Sequence, residues 1–313
     1  MKEFTIGKND AGQRLDRFVS KSVPLLPAAL LQKYIRLKRI KCNGARAQRD
    51  QRLQEGDVLQ LYINDEFFDK PREENAYLTV ATPKLNIVYE DENIVLLNKR
   101  PGVLVHEDTA AAENTLIMHV KAYLAQKGEY DPESEQSFAP ALCNRIDRNT
   151  GGIVIAAKTA EALRVMNEKI KNDEIRKFYL CAVHGKMPKR ADTLTGYLKK
   201  NSADNTVDVI DTPRTGYKEI ITKYRVLKSK GDAALLEVEL VTGRTHQIRV
   251  HMAHIGHPVA GDDVYMTRQI DKELCGQCLH AKKIGFVHPK DGRYLEFESE
   301  LPDYFKKFLN FFN

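Results

Sequence analysis

The sequence has few cysteines, no long apolar run and no strong excess of either charge. Its five cysteines are odd in number and irregularly spaced. That opposes a disulfide framework and fits a reducing, cytoplasmic setting. The longest strongly apolar stretch, Ile153 to Ala157, is the size of one strand. It falls far short of the ~20 residues that a membrane-spanning helix requires. Met1 to Ile6 contain no apolar core, so no secretory signal is expected. No internal repeat or low-complexity segment is evident. What is present, 313 residues with 42% hydrophobic and 29% charged content, suits a globular chain of about two domains.

The net charge of +6 is modest, but its distribution is uneven. Residues 1–63 hold 13 Lys/Arg and 6 Asp/Glu, whereas the remainder holds 36 and 37. All the excess positive charge therefore lies in the first fifth of the chain. Two readings fit: a basic module with a polyanionic partner, or a solvated basic surface.

That first segment reads as a small α/β module. Leu15, Phe18 and Val19 recur at helical spacing, and a second helix is expected from about Pro27 to Arg36, with Leu31, Tyr34 and Ile35 on one face. Asn43-Gly44 marks a tight turn, because both residues tolerate positive φ. Glu55-Gly56-Asp57 marks another turn, followed by apolar positions at Val58, Leu59, Leu61 and Ile63. Lys33, Arg36, Lys38, Arg39 and Lys41 cluster at the end of the second helix and into the hairpin. Such a cluster can neutralise several phosphates and release counterions.

Residues 64–84 read as an acidic linker broken by Pro71 and Pro83. Phe67 and Phe68 are unusual for a free linker and are expected to pin it to a domain surface or to pair the domains. Beyond it, strands are expected at Asn86–Glu90 and Asn93–Asn98, and a helix from Glu113 to Gln126. Strands and helices then alternate irregularly, which favours an α+β class over a repeating βαβ order. An aromatic tail closes the chain with Tyr304, Phe305, Phe308, Phe311 and Phe312.

The richest stretch is Asn144-Arg145-Ile146-Asp147-Arg148-Asn149-Thr150-Gly151-Gly152, followed by Ile153 to Lys158. It reads as a polar loop feeding a buried strand, with the two glycines permitting a close turn. Asp147 is flanked by Arg145 and Arg148, and a carboxylate beside guanidinium groups stays ionised. Such a group suits nucleophilic or charge-stabilising work; the bland alternative is a structural Asp–Arg pair capping the loop. Arg176 to Gly185 reads as a strand carrying Tyr179. Thr242 to Pro258 reads as a turn and a helix, with Ile248, Met252 and Ile255 as its core stripe. Arg249 lies off that stripe and can face a cleft. Gly261-Asp262-Asp263-Val264-Tyr265 follows.

Together these blocks resemble the RluA-like family of RNA pseudouridine synthases, over about residues 86–313. R-I-D-R-N-T-G-G-I-V-I-A-A-K resembles the family's R-L-D-x-x-T-S-G-L-L-L-L-A-K. T-G-R-T-H-Q-I-R-V-H-x-A-H-I-G-H-P, G-D-x-x-Y, Leu279-His280-Ala281 and His288-Pro289 resemble its later blocks. Residues 12–63 resemble an S4 RNA-binding domain, through R-L-D-x-F, the basic helix end, R-I-K-x-N-G and G-D-x-L. The arrangement is similar to the RluC/RluD-type branch.

The resemblance implies an S4-like domain at 1–63, a linker at 64–84 and a catalytic domain at 85–313, the last built on a mixed, largely antiparallel sheet with flanking helices. It implies isomerisation of uridine to pseudouridine in structured RNA, with large-subunit (23S) ribosomal RNA as the usual substrate. Asp147 matches the catalytic aspartate, which either attacks C1′ of the ribose or removes the 2′ proton. The N1–C1′ bond breaks, the uracil turns, and C5 rejoins C1′. Arg249 matches the basic partner of the aspartate. Tyr179 matches the tyrosine that stacks on the base and assists loss of the C5 proton. Arg145 matches a residue that fills the gap left by a flipped nucleotide, whose extrusion costs about a few kcal/mol. Arg148, Arg244 and His246 are expected RNA contacts in the catalytic domain, and Arg36, Lys38 and Arg39 in the basic module. The sequence departs from the pattern at Asn144, where His is usual, and at Gly151, where Ser is usual. Asn144 can hydrogen-bond RNA or backbone, and Gly151 is expected to loosen the loop.

No metal or other cofactor is expected. His251, His254 and His257 are spaced by three, and Cys275 and Cys278 form a lone C-x-x-C near His280 and His288. A zinc site normally needs a second ligand pair at suitable spacing, so packing or RNA contact is expected. The expected partner is RNA, without a membrane, and the expected state is a monomer. Three alternatives stand beside the ribosomal reading: a transfer RNA pseudouridine synthase, a non-catalytic ribosome-assembly factor on the same fold, and an RNA-directed hydrolase that would release free uracil.

Overall fold

The computed structural model describes residues 1–68, 80, 82–106, 114–132, 134–201, 207–265 and 276–312. Asp69, Pro71, Glu73, Glu74, Glu113 and Cys275 fall outside the described residues. The chain forms two compact units. The first comprises Met1–Pro83, Met118–Ala141 and Lys158–Leu163; the second comprises Lys84–Ile117, Leu142–Ala157 and Arg164–Asn313. No helix among the described residues is long and apolar enough to cross a membrane.

The first unit opens with β1 (Lys2–Thr5), α1 (Leu15–Ser22) and α2 (Ala28–Arg36), followed by β2 (Ile40–Cys42), β3 (Ala45–Arg46) and β4 (Val58–Leu61). Its antiparallel sheet has the order β1-β4-β2-β3. Asn43 and Gly44 make the β2–β3 turn with φ of 52° and 75°, as the two-residue hairpin signal demands. Leu15, Phe18 and Val19 of α1 pack with Leu31, Ile35, Ile40, Leu59 and Leu61 in one core. Asp16 is held by Arg14 Nη2 at 2.8 Å and Arg49 Nε at 3.0 Å. Phe67 and Phe68 pack against this same core, and Lys2 Nζ sits 5.1 Å from the Phe68 ring. The start of the acidic segment is thus pinned to the unit that precedes it.

In chain order there follow β5 (Ile87–Glu90), β6 (Ile94–Lys99), α3 (Leu116–Gln126), β7 (Ala141–Leu142), β8 (Gly151–Ala157), α4 (Ala160–Lys171), β9 (Arg176–His184), β10 (Ala191–Lys200), β11 (Val207–Ile210), β12 (Lys218–Lys230), β13 (Ala233–Leu240), α5 (Gln247–His254), β14 (Leu279–Val287), β15 (Tyr294–Glu298) and α6 (Asp303–Leu309). Among the described residues the large sheet has eleven strands, with the path β11-β10-β12-β13-β9-β14-β8-β6-β5, and β15 and β7 alongside. Strands β9 to β13 pair antiparallel, and β14 pairs β8 in parallel. The fold is therefore mixed α+β on a largely antiparallel sheet. The expected alternation of strands and helices gives way between 191 and 240 to four successive strands. The reason is hairpin connectivity: antiparallel neighbours need only short turns.

Strand β8 is buried along all of its length, as a central strand covered on both faces must be. Strand β9 alternates, so Lys177 and Tyr179 share one face while Arg176 and Phe178 share the other. The Phe178 ring lies 4.8 Å from the Arg176 guanidinium and 5.7 Å from Lys283 Nζ. Helix α5 does not carry the simple amphipathic stripe expected of it. Gln247 to Met252 are all buried, because each polar side chain in that run has a polar partner inside the fold. The aromatic tail packs on Ala182, Leu235 and Ala260 through Phe305 and Phe312.

Candidate active site

The loop that carries Asp147 is tied down at both ends. Asn144 Oδ1 accepts the Ile155 N–H at 2.8 Å, and the Cys143 N–H reaches the Ile155 carbonyl at 2.7 Å. Asn144 thus uses its side chain on the backbone of β8. At the far end, a Cβ on Gly152, whose φ is 115°, would lie 2.3 Å from the Ala281 carbonyl oxygen, so no other residue fits. A Cβ on Gly151 would meet His280 Nδ1 at 2.9 Å and Pro101 Cδ at 3.2 Å. The expectation that Gly151 loosens the loop is corrected here. Its missing side chain is replaced by the His280 ring and Pro101, and both glycines are the first residues of a buried strand rather than a turn.

Lys99 holds the middle of the loop. The residue is 2% exposed, and its ammonium donates to the carbonyls of Arg100, Val103 and Arg148 at 3.1, 2.9 and 2.9 Å. Burial pulls its pKa down to about 7, opposed by the charge of Asp147. Sequence reading missed this residue, since a lysine at a strand end normally signals solvent.

The guanidinium beside Asp147 belongs to Arg249, not to its neighbours in sequence. Arg249 Nη1 lies 3.2 Å from Asp147 Oδ2. Arg148 instead donates from Nε to the Gly102 carbonyl at 3.1 Å, because the chain direction through the loop carries its side chain away. Arg249 is itself clamped. Nε and Nη2 donate to Asp262 Oδ2 and Oδ1 at 2.6 and 2.9 Å, a bidentate fork that fixes both position and plane. Asp262 Oδ1 also accepts the N–H groups of Val264 and Tyr265 at 2.9 and 3.1 Å. Against burial, Arg249 and these amides hold the Asp262 carboxyl below its usual range. The acidic G-D-x-x-Y block thus serves as the counter-ion of Arg249.

Asp147, Tyr179, Arg249, Arg145, Arg244 and His246 all line one cleft of about 840 Å³ in the second unit. The Tyr179 phenol is pushed well above its ordinary pKa, first by burial and then by the charge of Asp147, so it stays protonated. Arg145, Arg148 and Arg244 are exposed at the rim. Gln247 braces the Arg244 turn: its Oε1 accepts the Arg244 N–H at 3.0 Å and the Thr242 hydroxyl at 2.9 Å, while Nε2 donates to the Ile221 carbonyl and Thr222 Oγ1 at 3.1 Å each. In the first unit, Arg36, Lys38 and Arg39 are exposed together, with the Arg39 guanidinium 5.4 Å from the Tyr34 ring. The three spaced histidines go to three separate partners: His251 to Thr222 Oγ1, His254 to Asp211 and His257 to the His184 carbonyl.

Residues 93–254 match the RNA pseudouridylate synthase family. This span holds the Asp147 loop, Tyr179 and all of α5. The chain belongs to the RNA pseudouridylate synthase family. Members of the family isomerise uridine within RNA, and this chain is such an enzyme. An RNA pseudouridine synthase of Chloroflexus aurantiacus is 35% identical over 93% of this chain and 87% of its own. "Ribosomal large subunit pseudouridine synthase C" of Haemophilus influenzae is 30% identical over 99% of this chain and 94% of its own. Among solved structures, human RNA pseudouridylate synthase domain containing 4 shares the fold, with a TM-score of 0.60 at 20% identity over 76% of this chain and 97% of its own.

Within this pseudouridylate synthase, the groups that sequence reading did not assign are those that support the cleft from behind. They are Lys99, Asp262, Gln247 and Tyr265. Each is buried or half-buried, and each acts through another side chain or a backbone carbonyl. Lys99 braces the loop from a strand and leaves no local sequence pattern, whereas Gln247, Asp262 and Tyr265 lie in the T-H-Q-I-R and G-D-x-x-Y blocks, which do not by themselves reveal what those side chains hold.

Proposed function

We propose that the enzyme modifies specific uridines of large-subunit (23S) ribosomal RNA in the cytoplasm, that Asp147 is the residue that reacts at the ribose, and that an S4-like domain at the N-terminus helps dock the RNA. The observation that carries the assignment of Asp147 is its 3.2 Å contact with Arg249 inside the cleft. The ribosomal reading rests on the Haemophilus influenzae relative, whose name refers to the ribosomal large subunit. The docking role rests on the exposed Arg36, Lys38 and Arg39, and the enzyme acts as a monomer.

The target nucleotide leaves its stack and enters the cleft, with Arg145 filling the vacated space and offsetting part of the unstacking cost. Asp147 then attacks C1′ or takes the 2′ proton, and either route breaks the N1–C1′ bond. Arg249 cannot swing away, because Asp262 holds it by two hydrogen bonds, so the carboxylate meets the ribose in one orientation. The uracil turns and C5 bonds to C1′, which breaks the Asp147–C1′ bond on the first route or is accompanied by return of the proton from Asp147 to C2′ on the second. The C5 proton is then lost and N1 gains one. Tyr179, a neutral phenol in this environment, serves as a stacking surface and a hydrogen-bond donor. It accepts a proton from C5 only by passing its own on.

The test is a map of pseudouridine in total RNA from cells with and without the protein. Loss of sites in large-subunit ribosomal RNA is expected. Loss confined to transfer RNA would replace the ribosomal reading with the transfer RNA one.

A further inference from the structure

The same oxygen of Asp147 that meets Arg249 also faces His246. His246 Nε2 lies 4.0 Å from Asp147 Oδ2, and Arg249 Nη1 lies 3.2 Å from it. Among the described residues, Oδ1 accepts no hydrogen bond. The other ring nitrogen of His246, Nδ1, is 2.9 Å from the Tyr265 hydroxyl. The two rings meet edge to face at 5.8 Å. Tyr265 is fixed in turn by the Arg249 guanidinium, 5.3 Å from its ring, and by its own N–H to Asp262 Oδ1 at 3.1 Å.

We propose that His246, oriented by Tyr265, is a positioning residue that joins Arg249 in anchoring one oxygen of Asp147 and leaves the other to face the ribose. The inference rests on the reading of Asp147 as the reacting group and adds a residue to it.

The direction of the hydrogen bonds follows from the surroundings. The Tyr265 hydroxyl lies 2.9 Å from His246 Nδ1, and in the proposed arrangement the phenol directs its proton to that nitrogen. Burial raises the phenol to about 12, which keeps that proton in place. His246 faces Asp147, Asp262, Arg249 and Lys200, and burial is the largest influence, lowering its pKa and favouring the neutral ring. A neutral imidazole that accepts at Nδ1 carries its hydrogen on Nε2. That N–H is the one directed at Asp147. Closing the 4.0 Å gap takes a shift of about 1 Å to reach hydrogen-bond distance, within what a bound substrate commonly induces in a site. His246 also has an αL backbone, with φ of 52°, a conformation that few non-glycine residues adopt without cause. It places the ring under Asp147 at the head of α5.

The test measures single-turnover rate and RNA affinity separately, on a transcript that the unaltered enzyme modifies. Tyr265→Phe removes one oxygen and leaves the ring. It is expected to slow the single-turnover rate roughly 3- to 10-fold, with RNA affinity unchanged within about 2-fold. His246→Ala is expected to slow it roughly 10- to 100-fold, and His246→Gln, which keeps an N–H donor, to recover part of that loss. If Tyr265 acts through His246, Tyr265→Phe has no further effect in the His246→Ala background. Full additivity of the two losses would overturn the proposal. So would a loss in affinity alone, which would make His246 an RNA contact. Should His246→Ala fail to fold, Tyr265→Phe alone decides: an unchanged rate overturns the proposal. Asp147→Asn run alongside separates the failures, since activity in that variant would remove the reading of Asp147 itself.

Discussion

Arg249 Nη1 and Asp147 Oδ2 lie 3.2 Å apart across 102 positions of sequence. The contact joins the loop before β8 to the first turns of α5. It depends on a third residue, Asp262, which holds Nε and Nη2 of the guanidinium, with Asp263 Oδ1 also 3.5 Å from Nη2. The centre is thus an Asp–Arg–Asp chain with its inner end buried and its outer end in the cleft.

Replacing Asp262 by Asn or Ala leaves a buried guanidinium without its fork. The expected cost is about 3–5 kcal/mol in unfolding free energy, read from chemical denaturation, together with a large loss of single-turnover rate. The pH dependence has a definite sign. The folded carboxyl titrates below its usual value of 3.8, so its stabilising contribution is complete above that value and is lost as pH falls through the lower folded value. Acid unfolding of the unaltered protein should therefore be steeper below pH 3.8 than that of the Asp262→Asn variant.

Lys99→Met removes the donor shared by the carbonyls of Arg100, Val103 and Arg148. Buried acceptors left unpaired cost roughly 1–3 kcal/mol each when no water replaces the donor. The variant should unfold at lower denaturant concentration. Its single-turnover rate should fall more than its RNA affinity, because the Asp147 loop loses its central tie.

Gly151→Ser restores the residue usual in the family pattern, yet it is expected to destabilise this protein by roughly 1–3 kcal/mol. The new Cβ would sit 2.9 Å from His280 Nδ1, and that ring is held by Ser299 through Nε2 at 2.8 Å. Thermal and urea unfolding would show the cost. Unchanged stability would mean that His280 yields freely.

Much of the fold was legible in the sequence, for identifiable reasons. Asn43-Gly44 announced its hairpin, the apolar run from Ile153 its central strand, and Leu15, Phe18 and Val19 their helix. The strand β1 was missed, since Lys2-Glu3-Phe4-Thr5 has little apolar pattern and is ordered by pairing with β4. Asp147, Tyr179 and Arg249 were legible as chemistry-bearing residues in recognisable blocks, and the structure brings all three into one cleft. Adjacency in sequence points to Arg145 and Arg148 as the partners of Asp147, whereas the family resemblance implies Arg249, which is the residue that meets it. Adjacency along an irregular loop says little about which way a side chain turns.

The basic surface of the first unit makes a separate prediction. Replacing Arg36, Lys38 and Arg39 together by Gln should weaken RNA binding and lower the slope of log affinity against log salt by roughly 2–3. Filter binding across a salt series reads it. An unchanged slope would remove these residues from the RNA-binding surface.

The central claim is that Asp147 performs the chemistry at the ribose. The most direct measurement is pseudouridine formation in vitro by Asp147→Asn, on a transcript modified by the unaltered enzyme, with RNA affinity measured in parallel. The account predicts retained binding and no detectable pseudouridine. Pseudouridine formed by that variant at a rate near that of the unaltered enzyme would contradict it.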